Sequence, residues 1–488
     1  MKSIKFLFTF FALVLIFSIT FPVYADGPTG DWVSGITCQN LDSTNPANII
    51  ISFYDDAGNE VLVYNDTILA SGTVKYFTSS TPAGLPTDFL GSASVSSNVN
   101  IACNVNTQTT GTGTLTSPYR IGTNAGLSEQ ESSSTMYAPQ VMKNLGNAWN
   151  SYIAVQNTSS SIVSVSINYR GTDGSLITTA TENFNIPAYS SYISYQNENT
   201  GLPNGFVGSA VIKSTTPDTT KLAAVVNFYN NGSDYKTSQF HSYTAFNDGS
   251  DVLFVPRLVR KFYGYNGGLT IQNVGSIATA VKIEFNFSGN NYTYTSPTIN
   301  SGASIVLYLP NLSQLSGVDL LLMRNRVGSA KVTALTAGSK IVAIINEDNR
   351  GNSSDNDGYP VPTERIGQGS TYNAILNGKQ NSNLFFVQIT NKAGGVFSGG
   401  FQISNTTNSI ATCNFSFVGD PDASFSDSIP ANGSKSYYAP NVANLNIGFN
   451  AGLSVSCNQL MVGIANLAAE PGTGKYGDSF TQSNGLNK

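Results

Sequence analysis

Apolar residues alternate with polar ones in short runs along most of the chain. Val163, Val165 and Ile167, or Val281, Ile283 and Phe285, recur two residues apart, which sets them on one face of an extended strand. Turn chemistry interrupts these runs at one place in each quarter of the chain, as "DDAGN", "GTDGS", "SGNN" and "GDPD", each between two alternating segments as a β-hairpin requires. A second turn signal, "LASG", "IPAY", "NSGA" and "PANG", divides the next pair of runs. The pattern predicts about seven short strands per quarter with turns roughly every ten residues, the spacing of an immunoglobulin-like sandwich.

The quarters are copies of one another. A nine-residue frame with an aromatic first and Asn last occurs as "WVSGITCQN" from Trp32, "WNSYIAVQN" from Trp149, "YNGGLTIQN" from Tyr265 and "FSGGFQISN" from Phe397. Trp32 and Trp149 stand 117 residues apart, as do Gly84 and Gly201, Gly91 and Gly208, and Pro139 and Pro256. A copy of about 100 residues can bury its own two-sheet core, so the reading is separate domains rather than a solenoid. The expected fold is all-β, four tandem immunoglobulin-like β-sandwich domains in an elongated array, over residues 26–125, 126–250, 251–372 and 373–488. Polar, Gly-rich stretches such as "TSQFHSYTAFNDGSD" are expected to be linkers.

Residues 1–25 are set apart as a signal peptide. Lys2 and Lys5 precede the apolar run "FLFTFFALVLIF", and Val23, Tyr24 and Ala25 form an A-x-A-like cleavage site, so the exported chain is expected to start at Asp26. No later apolar stretch is long enough to predict a membrane-spanning helix. Charged residues make up 11% of the chain against about 25% in an ordinary soluble domain. A net charge of −5 without any Lys/Arg cluster argues against nucleic acid as a partner.

Four cysteines in an exported chain favour two disulfides over metal or catalytic thiols. Cys38 lies where the other frames have Val155, Ile271 and Ile403, and Cys103 lies in the last apolar run, aligned with Val226 and Ile345; a bridge within copy one follows. Cys413 and Cys457 give copy four a bridge of its own. Catalysis is not expected: His241 is the only histidine, read as a solvated linker residue, and no G-x-S-x-G elbow accompanies it.

The frame aromatics Trp32, Trp149, Tyr265 and Phe397 are candidate ligand-binding residues, as stacking platforms for sugars, or else plugs at the end of each sandwich. Ser353 to Glu364 places Asp355, Asp357 and Glu364 at calcium-loop positions three, five and twelve, although two prolines fall inside and no helices are predicted to flank it. Calcium is the one cofactor considered. The Asn that closes each copy (Asn104, Asn227, Asn346, Asn466) is read as following the last strand, in a turn or capping role.

The segments "APQVMKN", "WNSYIAVQN", "PNGFVGSAVI" and "AAVVNFYN" resemble secreted bacterial proteins built from tandem β-sandwich, immunoglobulin-like repeats. The resemblance spans the mature chain, is strongest in copy two and implies an extracellular or cell-surface location without an activity or site residues. The expected role is non-enzymatic, structural or adhesive, with cell-envelope components, surface glycans or further copies of the chain as partners. The alternative is an array of carbohydrate-binding modules acting on envelope or environmental polysaccharide.

Overall fold

The computed structural model describes residues 27–215, 220–351 and 360–487, so the leader expected at 1–25 and the calcium-loop residues Asp355 and Asp357 lie outside the described residues. The described chain is all-β, its helical elements being short 3-10 segments. No described helix is long and apolar enough to cross a membrane.

Copy two shows the ground plan. One sheet has the strand order Glu182–Ile186, Val163–Gly171, Phe206–Ser214, Thr135–Lys143; the other has Ser191–Tyr195, Trp149–Asn157, Leu222–Asn231, Ser238–Thr244, with antiparallel neighbours throughout. The alternating residues expected to face inward do so: Val165, Ile167, Ile153, Val155, Ile212 and Val226 are buried in one cluster. Copy three repeats the order, except that the short strand Ile375–Leu376 pairs outside Val252–Val259 at one edge; Gly369–Asn373 lies at the edge of the second sheet. The plan therefore has eight strands rather than about seven.

Copy four merges its two sheets. A single 20-residue strand, Asn450–Ala469, runs through both and pairs with Ala411–Phe417 at one end and Phe397–Asn405 at the other. Between Cys457 and Met461 the sequence leaves only Asn458, Gln459 and Leu460, whereas seven residues separate the corresponding strands of copy two. Copy one departs differently: among the described residues its outer sheet has Glu60–Ile68, Ala47–Tyr54 and Ser92–Ser97.

The last Asn of every frame has a common task. The side-chain amide of Asn157 donates to the carbonyls of Ser161, Ile186 and Pro187, and its carbonyl oxygen accepts from Ser159 N at 2.8 Å. Asn40, Asn273 and Asn405 do the same with their own two turns. Each pins the turn after the frame strand to the turn two strands later, satisfying buried carbonyls that no ladder reaches.

Both disulfides form, Cys38–Cys103 and Cys413–Cys457, each between directly paired strands of one copy. The register corrects the alignment of Cys103. The residue facing Val155 is Ala224, that facing Ile271 is Ala343, and that facing Ile403 is Gly463, so Cys103 stands where these copies have a small residue, not at Val226 or Ile345. A large aliphatic opposite a small residue fills the space that two thiols fill in copy one. Substituting Cys38→Ser and Cys103→Ser together is expected to cost about 2–4 kcal/mol in chemical denaturation. Cys38→Val with Cys103→Ala, which copies the pair in copy two, should recover part of that loss; an unshifted midpoint in the serine variant would refute the estimate.

The elongated row is not what forms. The eighth strands pack on one another in a closed cycle: Tyr119–Ala125 on Ser238–Thr244, that on Gly369–Asn373, that on Thr481–Asn484, and that back on Tyr119–Ala125. The stretch read as a linker supplies the second of these strands, and Ser238 to Tyr243 are all buried. Glycine permits the close approach: a Cβ on Gly369 would lie 2.4 Å from the His241 ring, and one on Gly122 2.8 Å from Phe240.

Candidate functional site at the repeat junction

The cycle of eighth strands encloses a polar junction, and Asp478 sits at its centre. The Gly477–Asp478 strand of copy four pairs in parallel with Tyr119 and Arg120 of copy one. Its carboxylate is fully buried and accepts from Phe240 N of copy two at 2.9 Å and from Gly369 N of copy three at 2.7 Å. One residue thus touches all four copies. Burial raises its pKa above the usual carboxylate range, against the opposing pull of His241 and of the two backbone N–H groups.

His241 is 4% exposed, so the solvated-linker reading is overturned. Its Nε2 lies 3.4 Å from Asp478 Oδ2, at the long end for a hydrogen bond. The ring packs edge-on against Trp149 at 5.2 Å, and the Thr371 hydroxyl is 3.4 Å from Nδ1. Thr371 donates to Asn346 at 2.7 Å; Asn346 donates to Gln140, which also accepts from Thr270 at 2.6 Å. This polar row is built from copies two and three. Its acid–imidazole–hydroxyl order has the look of a nucleophilic triad, but Thr371 is fully buried and directs its proton to Asn346, so the hydroxyl neither meets substrate nor loses its proton to the ring.

A second knot joins copies three and four. Arg257 holds Glu347 through two hydrogen bonds of 3.0 and 2.8 Å, and Gln482 donates to the same carboxylate at 3.0 Å. Burial works against the Arg257 charge, but Glu347 more than offsets it and leaves the guanidinium pKa above its ordinary value. Gln368 donates to Ser479 at 2.7 Å and accepts from the Tyr265 hydroxyl.

The frame aromatics meet this junction from four directions. Trp32 packs on Phe240 of copy two at 4.6 Å with the Arg120 guanidinium 4.9 Å over its ring, and its indole N–H donates to the Pro28 and Thr29 carbonyls. Trp149 faces His241, Tyr265 faces Phe480 of copy four at 5.2 Å, and Phe397 faces Tyr119 of copy one at 5.8 Å. Tyr265 is buried and the other three rings are partly so. Of the calcium-loop residues only Glu364 is described; its carboxylate accepts from Gly472 N at 3.2 Å. Among the described residues no group of three or more His, Cys, Asp or Glu is placed to hold a metal ion.

Asn104, Asn227, Asn346 and Asn466 lie inside strands rather than after them. Asn346 belongs to the row just described, and Asn466 accepts from Gly400 N at 2.7 Å. For Asn346 and Asn466 the turn or capping role is replaced by cross-copy and cross-strand bonding. Sequence reading missed the eighth strand altogether, although a signal exists: "TNAGLS", "SYTAFN", "TYNAILN" and "QSNGLN" follow the four copies in the same order of small polar, then apolar residues.

The seam between copies one and four adds Asn106 donating to Gln388 at 3.0 Å and Lys75 donating to the Asn450 carbonyl. Burial brings the Lys75 pKa down to about 8 from 10.5. For a depressed lysine the cost of burying the charge is full below the folded value and vanishes as pH rises to the unfolded one. Stability of wild type relative to Lys75→Met should therefore rise between about pH 8 and 10.5; a pH-independent difference would contradict the burial of this ammonium.

No protein-family model and no curated protein matches the chain.

Proposed function

We propose that this is an exported, non-enzymatic protein of the cell surface, in which four immunoglobulin-like β-sandwich domains are locked into one compact structural or adhesive body. The observation that carries the reading is the junction: Asp478, His241, Arg120 and the Glu347–Gln482 contact are buried and engaged with neighbouring copies, a use of charge that serves cohesion rather than turnover. Two internal disulfides and a low-charge, hydroxyl-rich composition fit an oxidising exterior. Partners on this reading are envelope components, surface glycans or further copies of the chain.

The carbohydrate-binding alternative moves away from the frame rings, which are buried or partly buried at the junction. It rests better on Tyr189 and Tyr192, which pack beside Tyr54 and on Phe184 yet stay 37% and 39% exposed. The test is cosedimentation of purified protein with envelope fragments of the producing cell, together with a glycan array and electron microscopy. Retention on envelope, or ordered assemblies, is the expected result. Free dispersal with no envelope or glycan binding would overturn the proposal.

A further inference from the structure

Copies two, three and four each begin with a strand that packs on the copy following it in the cycle. Thr135–Lys143 of copy two lies against Tyr265–Asn273 and Ile341–Asn349 of copy three, and Val252–Val259 of copy three against Phe397–Asn405 and Asn450–Ala469 of copy four. Asn381–Thr390 of copy four lies in the same way against Trp32–Asn40 and Ile101–Thr109 of copy one. This last seam joins the two ends of the chain. It is heterologous like the others, with a first strand on one side and a frame strand on the other.

Its chemistry repeats that of a seam inside the chain. Between copies two and three, Gln140 accepts from the Asn346 amide at 2.9 Å, and Asn346 accepts from the Thr371 hydroxyl at 2.7 Å. Between copies four and one, Gln388 accepts from the Asn106 amide at 3.0 Å, and Asn106 accepts from the Thr123 hydroxyl at 2.6 Å. The positions correspond. Gln140 and Gln388 each precede the residue, Val141 or Ile389, at which pairing resumes after a shift in register. Asn106 and Asn346 stand three residues after Cys103 and Ala343, and Thr123 and Thr371 are their partners on the eighth strands. An apolar contact completes the closing seam, where Leu41 and Ala102 of copy one are buried against Val387 of copy four.

Copies two and three are held at their seam by a connection of seven residues, 245–251. Copies one and four have no such tether, and each disulfide stays within one copy. A seam that selects its partner by surface alone selects the same surface on another chain equally well. The entry to copy four suits such an exchange. Between Ile375–Leu376 and Asn381–Thr390 only Asn377, Gly378, Lys379 and Gln380 turn the chain; the first three are exposed, and Lys379 N donates to the Leu376 carbonyl at 3.0 Å. A turn this short, once opened into an extended run, carries copy four away from its own chain.

We propose that copy four exchanges between chains, so that this protein's partner is a second copy of itself, with Asn381–Thr390 of one chain seated on Trp32–Asn40 and Ile101–Thr109 of the next. Reciprocal exchange closes a dimer, and serial exchange builds a head-to-tail row. The inference deepens the structural reading above and rests on it for the role of the assembly. Its test uses purified protein alone, so a failure here is separate from a failure to bind envelope.

Closure within a chain works at an effective concentration near the millimolar range, so exchange is favoured in concentrated protein. Chains carrying Asn106→Cys or Gln388→Cys are mixed at about 0.5 mM in urea just below the unfolding midpoint, returned to buffer and treated with a short bismaleimide. The expected result is an inter-chain cross-link at about ten times or more the yield from Asn106→Cys mixed with Ile410→Cys, a residue of copy four that is 65% exposed. One chain carrying both Asn106→Cys and Gln388→Cys, treated at about 1 µM, should cross-link within itself and then form no oligomer by light scattering in the concentrated regime. Equal yields from the two mixtures overturn the proposal, as does a pair that cross-links within one chain but never between chains. Failure of the internal cross-link overturns it as well, because the seam itself would be absent.

Discussion

Asp478→Ala is expected to destabilise the protein by about 3–5 kcal/mol, because it strands two buried backbone N–H groups and the His241 ring at once. The donors left without an acceptor are Phe240 N and Gly369 N, in copies two and three. The loss should appear in urea unfolding as a lower midpoint and, since these bonds tie different copies, as a broader or split transition. A cost below about 1 kcal/mol with an unchanged single transition would show that the junction does not couple the copies. Acidity supplies a second reading of the same site. Burial raises the folded pKa of Asp478 above its unfolded value near 3.8, so the contribution of its proton is full below that value and is lost as pH rises through the folded pKa. The stability of wild type relative to Asp478→Asn, which cannot ionise, should therefore shrink as pH rises through that range.

Arg257→Ala is expected to cost about 3–5 kcal/mol, since it leaves the Glu347 carboxylate buried without its cation. Arg257 and Glu347 are 7% and 1% exposed. The paired replacement Arg257→Met with Glu347→Leu should cost markedly less than either charge deletion, because no buried ion remains; Gln482 then loses one acceptor, which sets the residual penalty at about 1–2 kcal/mol. A double-mutant cycle by thermal or urea unfolding reads the coupling. If the paired variant is as damaged as the single one, the pair acts through shape rather than charge.

The strands, hairpin turns and repeat were legible because each depends on local chemistry. Period-two alternation at Val163 to Ile167 and the Gly- or Asp-bearing turns need no knowledge of neighbours. Both disulfides were legible for the same reason, being confined to single copies. The closed arrangement was not, because the strands that make it are written in Ser, Thr, Tyr and Asn. A strand such as Ser238–Thr244 is buried by other copies, with Phe240 N bonded to Asp478 and Thr244 N to Asn373 across the junction, so the run lacks the apolar alternation that marks a sandwich strand. His241 and Asp478 look like solvated residues in Gly-rich surroundings until the fold sets them 3.4 Å apart. The frame aromatics were found by recurrence, but recurrence could not say that their partners come from other copies.

The parallel pairing of Gly477–Asp478 with Tyr119–Arg120 also sets an order in time. Copy one is synthesised first, yet the outermost strand of its sheet is supplied by residues some 350 positions later. Each copy can collapse as it emerges, but the cycle cannot close until the fourth copy has been made. Such long-range closure is slow, and until it occurs the eighth-strand edges stand unpaired. The Cys38–Cys103 bridge, formed within the first copy alone, holds that copy together through the wait.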